Sequence, residues 1–121
     1  MKAVFDTNIL IDYLNGHAAA KREIDRYDSR LISLITWMEI MAGAKDAAEE
    51  AILRGFLRQF GVCEISRPIA EQAVKLRRTD HARLPDAIIH ATAKQEECLL
   101  ITRNTRDFDR NAPDVRVPYR L

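Results

Sequence analysis

The chain has 121 residues, 47% of them apolar, with four glycines, four prolines and a formal net charge of +1. That is the size of one domain, residues 1–121, with a full core, and so few glycines and prolines argue against long disordered linkers. A net charge this small draws the protein to neither nucleic acid nor membrane, so any such attraction must come from a local patch.

Residues 2–5, KAVF, read as a short buried strand. A helix follows from Thr7 to about Asn15, with Ile9, Leu10, Tyr13 and Leu14 on one stripe, and Asn15-Gly16 ends it. HAAAKREIDRY reads as a second helix and RLISL, residues 30–34, as a second strand. TWMEIMAG is helical, with Gly43 as its C-terminal cap. Residues 46–60 form the clearest helix, its apolar stripe being Ile52, Leu53, Phe56, Leu57 and Phe60. VCEI, residues 62–65, is a third strand. PIAEQAVKLRR is helical with Pro68 in its first turn, and TDHAR is a polar loop. LPDAIIHATAKQEE is a helix whose first half is apolar nearly all round, which predicts burial. CLLIT, residues 98–102, is a fourth strand, RNTRDF a turn, and VRV at 115–117 a last short strand. Cys63 and Cys98 sit in these apolar runs and are expected as reduced core residues, since two isolated cysteines do not make a zinc site. Neither a leader pattern nor an apolar run near the ~18 residues that span a bilayer is present, so a cytoplasmic protein without membrane contact is expected.

Strands that alternate with helices, each a short continuous apolar run, predict a single α/β domain: a short parallel β-sheet with helices on both faces. Ligands of such sheets bind outside the carboxyl ends of the strands. Asp6 ends the first strand there, and Asn104 and Asp107 follow the fourth.

Four acids stand out by context. Asp6 interrupts an apolar segment, Glu39 lies between Met38 and Ile40, Asp86 opens an apolar helix, and Asp107 precedes Phe108. Each has a structural alternative. Asp6 serves equally well as a helix N-cap, a role that stabilises by about 1 kcal/mol. Asp86 suits the first turn of a helix. Glu39, if buried, needs an Arg or Lys partner, and Asp107 suits a turn. The set says more than its members. Two carboxylates about 4 Å apart repel by about 4 kcal/mol at an effective dielectric of about 20. Clustered carboxylates therefore imply raised pKa values or a bound divalent cation. Oxygen-only ligands suit Mg²⁺ or Mn²⁺, ions that serve phosphate chemistry. Asp12, without such support, reads as a solvated helix residue.

VFDTNILIDYL, TWMEIMAG, LPDAIIHATA and LLITRNTRDF, in this order and strand–helix context, resemble the PIN-domain ribonucleases, specifically the VapC-type toxins of type II toxin–antitoxin pairs. The resemblance covers essentially the whole chain. It implies a metal-dependent endoribonuclease that hydrolyses RNA phosphodiester bonds and inhibits growth until its antitoxin neutralises it. Asp6, Glu39 and Asp86 match the three acids around the Mg²⁺ or Mn²⁺ ion. The fourth acid of the family falls at Asn104 in some members and three residues later in others. Here that later position is Asp107, expected to act through water with Asn104 placing it. Thr7 and Thr102 match the hydroxyl residues that orient these carboxylates. His90, His17 and His81 are expected to stay outside the chemistry. Arg83, Arg103 and Arg106 are candidates for contacts with RNA phosphate, with Arg77, Arg78, His81 and Arg110 near them. The resemblance further implies a homodimer held by a VapB-type antitoxin, which alone contacts DNA. The antitoxin's tail would lie in an apolar groove or beside the dimer seam, for which Tyr13, Leu14, Ile24, Tyr27 and Trp37 are candidates.

Rival readings fail on particular residues. A haloacid-dehalogenase-type phosphatase wants a second Asp two positions after the first, where this chain has Asn8. A phosphoreceiver wants paired acids after the first strand and a Lys after a late one, where Thr7 and Arg103 stand. A catalytically inactive PIN-like binding domain has only Asn104 in its favour.

Overall fold

A computed structural model describes residues 1–121. In chain order the elements are β1 (Lys2–Phe5), α1 (Thr7–Leu14), α2 (Ala18–Asp25), β2 (Ser29–Ser33), α3 (Leu34–Ala42) and α4 (Ala47–Leu57). Then come β3 (Gly61–Cys63), α5 (Arg67–Asp80), α6 (Leu84–Gln95), β4 (Leu99–Ile101) and β5 (Val115–Arg116). The strands form one five-stranded sheet in the order β3-β2-β1-β4-β5, and every pair is parallel. The expected α/β architecture is what the chain forms.

Alternation along β1 builds both layers. Ala3 and Phe5 face a core shared with Ile9 and Leu10 of α1, Ile24 of α2 and Leu57 of α4. Val4 faces the opposite side, where Ile89 and Ala93 of α6 meet Leu100 and Val115. α5 and α6 pack through Ile69 and Leu76 together with the small residues Ala73, Ala87 and Ala91, which allow close approach. The chain steps outward from β1 to β2 and β3, then returns to β1's other side as β4. Strand order therefore reverses between β1 and β4, and the crevice at their carboxyl ends is where such a sheet holds ligands.

Several boundaries differ from the sequence expectation for local reasons. Leu34 opens a helix instead of ending a strand, because the Ser33 hydroxyl accepts the Ile35 N–H at 3.2 Å and caps α3. α5 runs to Asp80, and His81 stops it in the left-handed region at φ 58°. α4 ends at Leu57, so Phe60 stays buried without being helical. Ile52 leaves the expected core stripe altogether and is 67% exposed. Ile24 and Tyr27, candidates for a partner surface, are instead fully buried, whereas Leu14 is exposed. Cys63 and Cys98 are unpaired and half-buried. No helix is long and apolar enough to cross a membrane.

Phe5 meets Tyr27 and Phe60 edge-on at centroid distances of 5.6 and 5.9 Å. Phe5→Ala is expected to cost about 3–5 kcal/mol in urea unfolding, and Ile52→Ala to change stability by no more than about 0.5 kcal/mol.

Candidate active site

The register of β1 against β4 pairs Phe5 with Ile101, so the next residues, Asp6 and Thr102, leave the sheet side by side. The Asp6 N–H continues the ladder to the Ile101 carbonyl at 2.9 Å. Its carboxylate is 3% exposed and fully engaged on one side. Oδ1 accepts the Thr7 N–H at 2.7 Å, which caps α1. Oδ2 accepts the Thr102 hydroxyl at 2.7 Å and the Asn8 amide at 3.2 Å. A carboxylate offers about four acceptor sites, so these bonds leave room for one more partner.

Glu39 arrives from α3. It is exposed rather than buried, and it accepts the Thr7 hydroxyl at 2.7 Å, so the Arg or Lys that burial would have demanded is not needed. That hydroxyl also stands 3.0 Å from the hydroxyl of fully buried Thr36. Asp86 sits in the first turn of α6. Asp107 comes from the turn after β4, where the Asn104 amide donates to its Oδ2 at 2.8 Å. The Asn104 side-chain carbonyl in turn accepts the N–H groups of Arg106 and Asp107 at 3.1 and 3.2 Å. Asn104 thus shapes the turn and holds Asp107.

Charge shows that these acids share one field. Burial raises the Asp6 pKa; the Thr102 and Thr7 hydrogen bonds oppose that rise, and the charges of Glu39 and Asp107 add to it. Burial, and then the charges of Asp6 and Asp107, push Asp86 up from 3.8 to about 6. Asp107 is held low by the Asn104 amide and by Arg83. Of the facing pair Asp86 and Asp107, Asp86 is therefore the one that takes up a proton more readily.

The chemistry of this donor set fits a hard divalent cation: every donor is oxygen, and mutual repulsion among the acids is what a cation relieves. As the side chains stand, no three acids converge tightly enough to enclose an ion. Arg83 instead spans two of them, with Nε 3.5 Å from Asp86 and Nη2 3.2 Å from Asp107. This expected RNA contact is at present the counter-cation of the site. Arg106 is exposed and free of ion pairs.

With this geometry established, the chain can be set beside known proteins. The model of the PIN domain matches residues 3–113. The chain belongs to the PIN-domain family. Ribonuclease VapC1 of Methanocaldococcus jannaschii is 29% identical over 114 residues, covering 90% of this PIN domain chain and 80% of that protein. A solved toxin–antitoxin complex from Klebsiella pneumoniae contains a chain 47% identical to it, with a TM-score of 0.93 over 99% of this chain and 100% of that one. A DNA-bound VapBC from Salmonella typhimurium shares the fold, at 24% identity and a TM-score of 0.78 over 96% of each chain.

Sequence reasoning missed three features of this PIN domain. Asn8, weighed only as a missing acid, is a hydrogen-bond donor to Asp6, which removes the second carboxylate a dehalogenase-type site requires. Asp12, read as solvated, is 2% exposed. Arg103, read as an RNA contact, turns inward and binds Asp12 through two bonds of 2.8 and 2.9 Å. The α1 stripe carried the only available signal, since Asp12 lies three residues from Ile9 and beside Tyr13. His90 pairs with Asp114 at 2.9 Å and lies edge-on to Phe108, apart from the acids.

The raised Asp86 pKa fixes a sign for stability. Between about pH 4 and 6 the native state holds a proton that the unfolded chain has released, so metal-free stability falls as pH rises through this window. Asp86→Asn keeps a donor toward Asp107 without the charge. In EDTA at pH 7 it is expected to raise stability by about 1–2 kcal/mol, below the full conversion of the shift because the site is partly solvated. Urea unfolding across this pH range measures both effects.

Proposed function

We propose that this chain is the toxin of a type II toxin–antitoxin pair, a metal-dependent endoribonuclease whose Mg²⁺ or Mn²⁺ is held by Asp6 and Asp86, with Glu39 and Asp107 contributing directly or through water. The observation that carries it is the shared field of these acids at the reversal point between β1 and β4. Likeness to a ribonuclease and to the chain of a toxin–antitoxin complex supplies the biological class.

When bound, the ion supplies Lewis-acid neutralisation of the phosphate and a lowered pKa for the attacking water. The chain's own residues do the rest. Asp6 is held ready by the Thr102 hydroxyl and the Thr7 N–H, so it loses no rotamer freedom when it takes up a ligand. Asp86, whose carboxyl is pushed up to about 6, would have to be ionised to hold the cation, which would couple metal uptake to pH. Arg83, released from Asp86 and Asp107, exchanges carboxylates for a phosphate of the RNA, and Arg106 at the rim adds a second contact. Arg103 does not share this role, because it is committed to Asp12.

An antitoxin has a surface to cover. Ile11 and Leu14 of α1 and Ile52 of α4 are exposed and line a groove of about 410 Å³ that Glu39 borders. An apolar segment laid there would lie against Glu39, the one acid of the site that lines this groove. Tyr13 and Trp37 stand only partly beside it: the Tyr13 ring stacks on Phe56 at 4.9 Å, and Arg54 covers Trp37 at 5.6 Å. The assembly proposed is a homodimer bound by its antitoxin, with DNA contacted by the antitoxin alone, in the cytoplasm.

Purified protein incubated with total RNA and Mn²⁺ or Mg²⁺ is expected to cleave it. EDTA should abolish the activity, and Asp6→Asn should lower it by more than about 100-fold. Intact RNA, or cleavage that survives both controls, overturns the nuclease reading. Expression alone is expected to arrest growth, and co-expression of a small adjacent gene to relieve it.

A further inference from the structure

Arg103 stands between the two residues that hold the site's flanks. Thr102 before it donates to Asp6, and Asn104 after it donates to Asp107. Its own N–H donates to the Asn8 side-chain carbonyl at 3.3 Å, and the amide of the same Asn8 donates to Asp6. The Asn104 N–H adds a bond of 2.9 Å to the Thr102 hydroxyl. All of these links except the one from Asn8 to Asp6 depend on where the backbone of residues 102–104 sits. The Arg103 guanidinium fixes that backbone against α1, through Nε to Asp12 Oδ2 at 2.8 Å and Nη2 to Oδ1 at 2.9 Å. Tyr119, from the segment after β5, donates its hydroxyl to Asp12 Oδ2 at 2.7 Å. A forked, planar donor on a buried carboxylate fixes both distance and angle, which a single contact does not.

We infer that Asp12, Arg103 and Tyr119 form a positioning lock, which sets Asp6 and Asp107 at the spacing their shared ligand needs without touching ligand or substrate. The proposal rests on the reading of these acids as the metal and phosphate site. It assigns Arg103 a role opposed to an RNA contact, and the two roles separate in kinetics. A positioning residue acts on kcat and metal affinity. A phosphate contact acts on KM, and its loss makes the salt dependence shallower.

The chain supplies its own control. Glu23 accepts Arg116 Nε and Nη2 at 2.7 and 3.1 Å and the Tyr27 hydroxyl at 3.1 Å. This is a second buried acid–Arg–Tyr set, and its side chains make no bond to the acids of the site. Replacing a buried ion pair by apolar side chains of similar volume generally preserves the fold, whereas removing one partner strands a charge.

The experiment therefore compares Asp12→Leu/Arg103→Met/Tyr119→Phe with Glu23→Leu/Arg116→Met/Tyr27→Phe in the full chain. It reads Mn²⁺ affinity by titration, kcat and KM on RNA at two salt concentrations, and folding by thermal melt. The first variant is expected to lose about 10–100-fold in Mn²⁺ affinity and kcat, with KM for RNA within about two-fold. The second is expected to keep Mn²⁺ affinity within about two-fold. If the first does not fold, Tyr119→Phe alone is expected to weaken Mn²⁺ about three-fold, as loss of one hydrogen bond to a carboxylate implies. Unchanged Mn²⁺ affinity and kcat in the folded lock variant overturn the lock, as does a loss confined to KM. So does an equal loss in both variants, which marks general loosening of the C-terminal segment. Failure of the unaltered chain to bind Mn²⁺ overturns the nuclease reading and the lock together.

Discussion

The parallel pairing of β1 with β4 is the constraint on which the rest depends. Because Phe5 pairs with Ile101, a carboxylate and a hydroxyl emerge as neighbours where the strand order reverses. Burying a carboxylate without partners costs several kcal/mol. Asp6 avoids most of that cost through the Thr7 N–H, the Thr102 hydroxyl and the Asn8 amide. One side chain thereby caps α1, joins it to β4 and presents an oxygen to the crevice. Capping and the ligand role proposed for Asp6, which compete as readings of the sequence, are compatible because the two carboxylate oxygens have different partners.

A second consequence concerns charge. The net charge of +1 conceals a strongly polarised site, since the acids meet at one edge of the sheet while their counter-charges are distributed through the fold. Arg103 and Arg116 neutralise Asp12 and Glu23, buried acids outside the site. Arg83 alone bridges two acids of the site, and its side chain is 75% exposed. A solvated guanidinium on an exposed stem is a weak, displaceable counter-ion, whereas a forked pair on a buried carboxylate is a fixed one. The same residue type thus serves two ends according to burial alone. The site keeps the unresolved repulsion that a divalent ion relieves, and the surrounding scaffold does not.

Much of this was legible in the sequence because it follows from periodicity. Continuous apolar runs identified the parallel strands, although β3 proves largely exposed, and the position of Asp6 at the end of the first placed the crevice. Charged residues were harder, because their default reading is solvation. Asp12 and Arg103 lie ninety-one positions apart, and nothing local marks either as the other's partner. Ile52 shows the converse failure: it continues an apolar stripe on α4, yet it faces outward beside Ile11 and Leu14. Hydrophobic patterning identifies surface that must be covered and is blind to whether this chain or another molecule covers it.

The C-terminal segment shows why the polar links gather where they do. β5 is two residues long, too short for its ladder to hold it strongly. Yet the Arg116 carbonyl accepts the Thr102 N–H at 3.1 Å, so this weak strand lies directly behind the residue that positions Asp6. Two buried acids compensate. Glu23 in α2 grips the Arg116 side chain, and Asp12 in α1 grips Tyr119 beyond it, while Asp12 also holds Arg103 on the adjoining strand end. Apolar contacts alone would leave the segment free to slide along its own axis, since hydrophobic burial is not directional. Forked ion pairs resist sliding because the donors lose both bonds together. The strand end that carries Thr102 is thus held by Asp12, the acid that reads as solvated in the sequence, while Glu23 anchors only the outer strand β5.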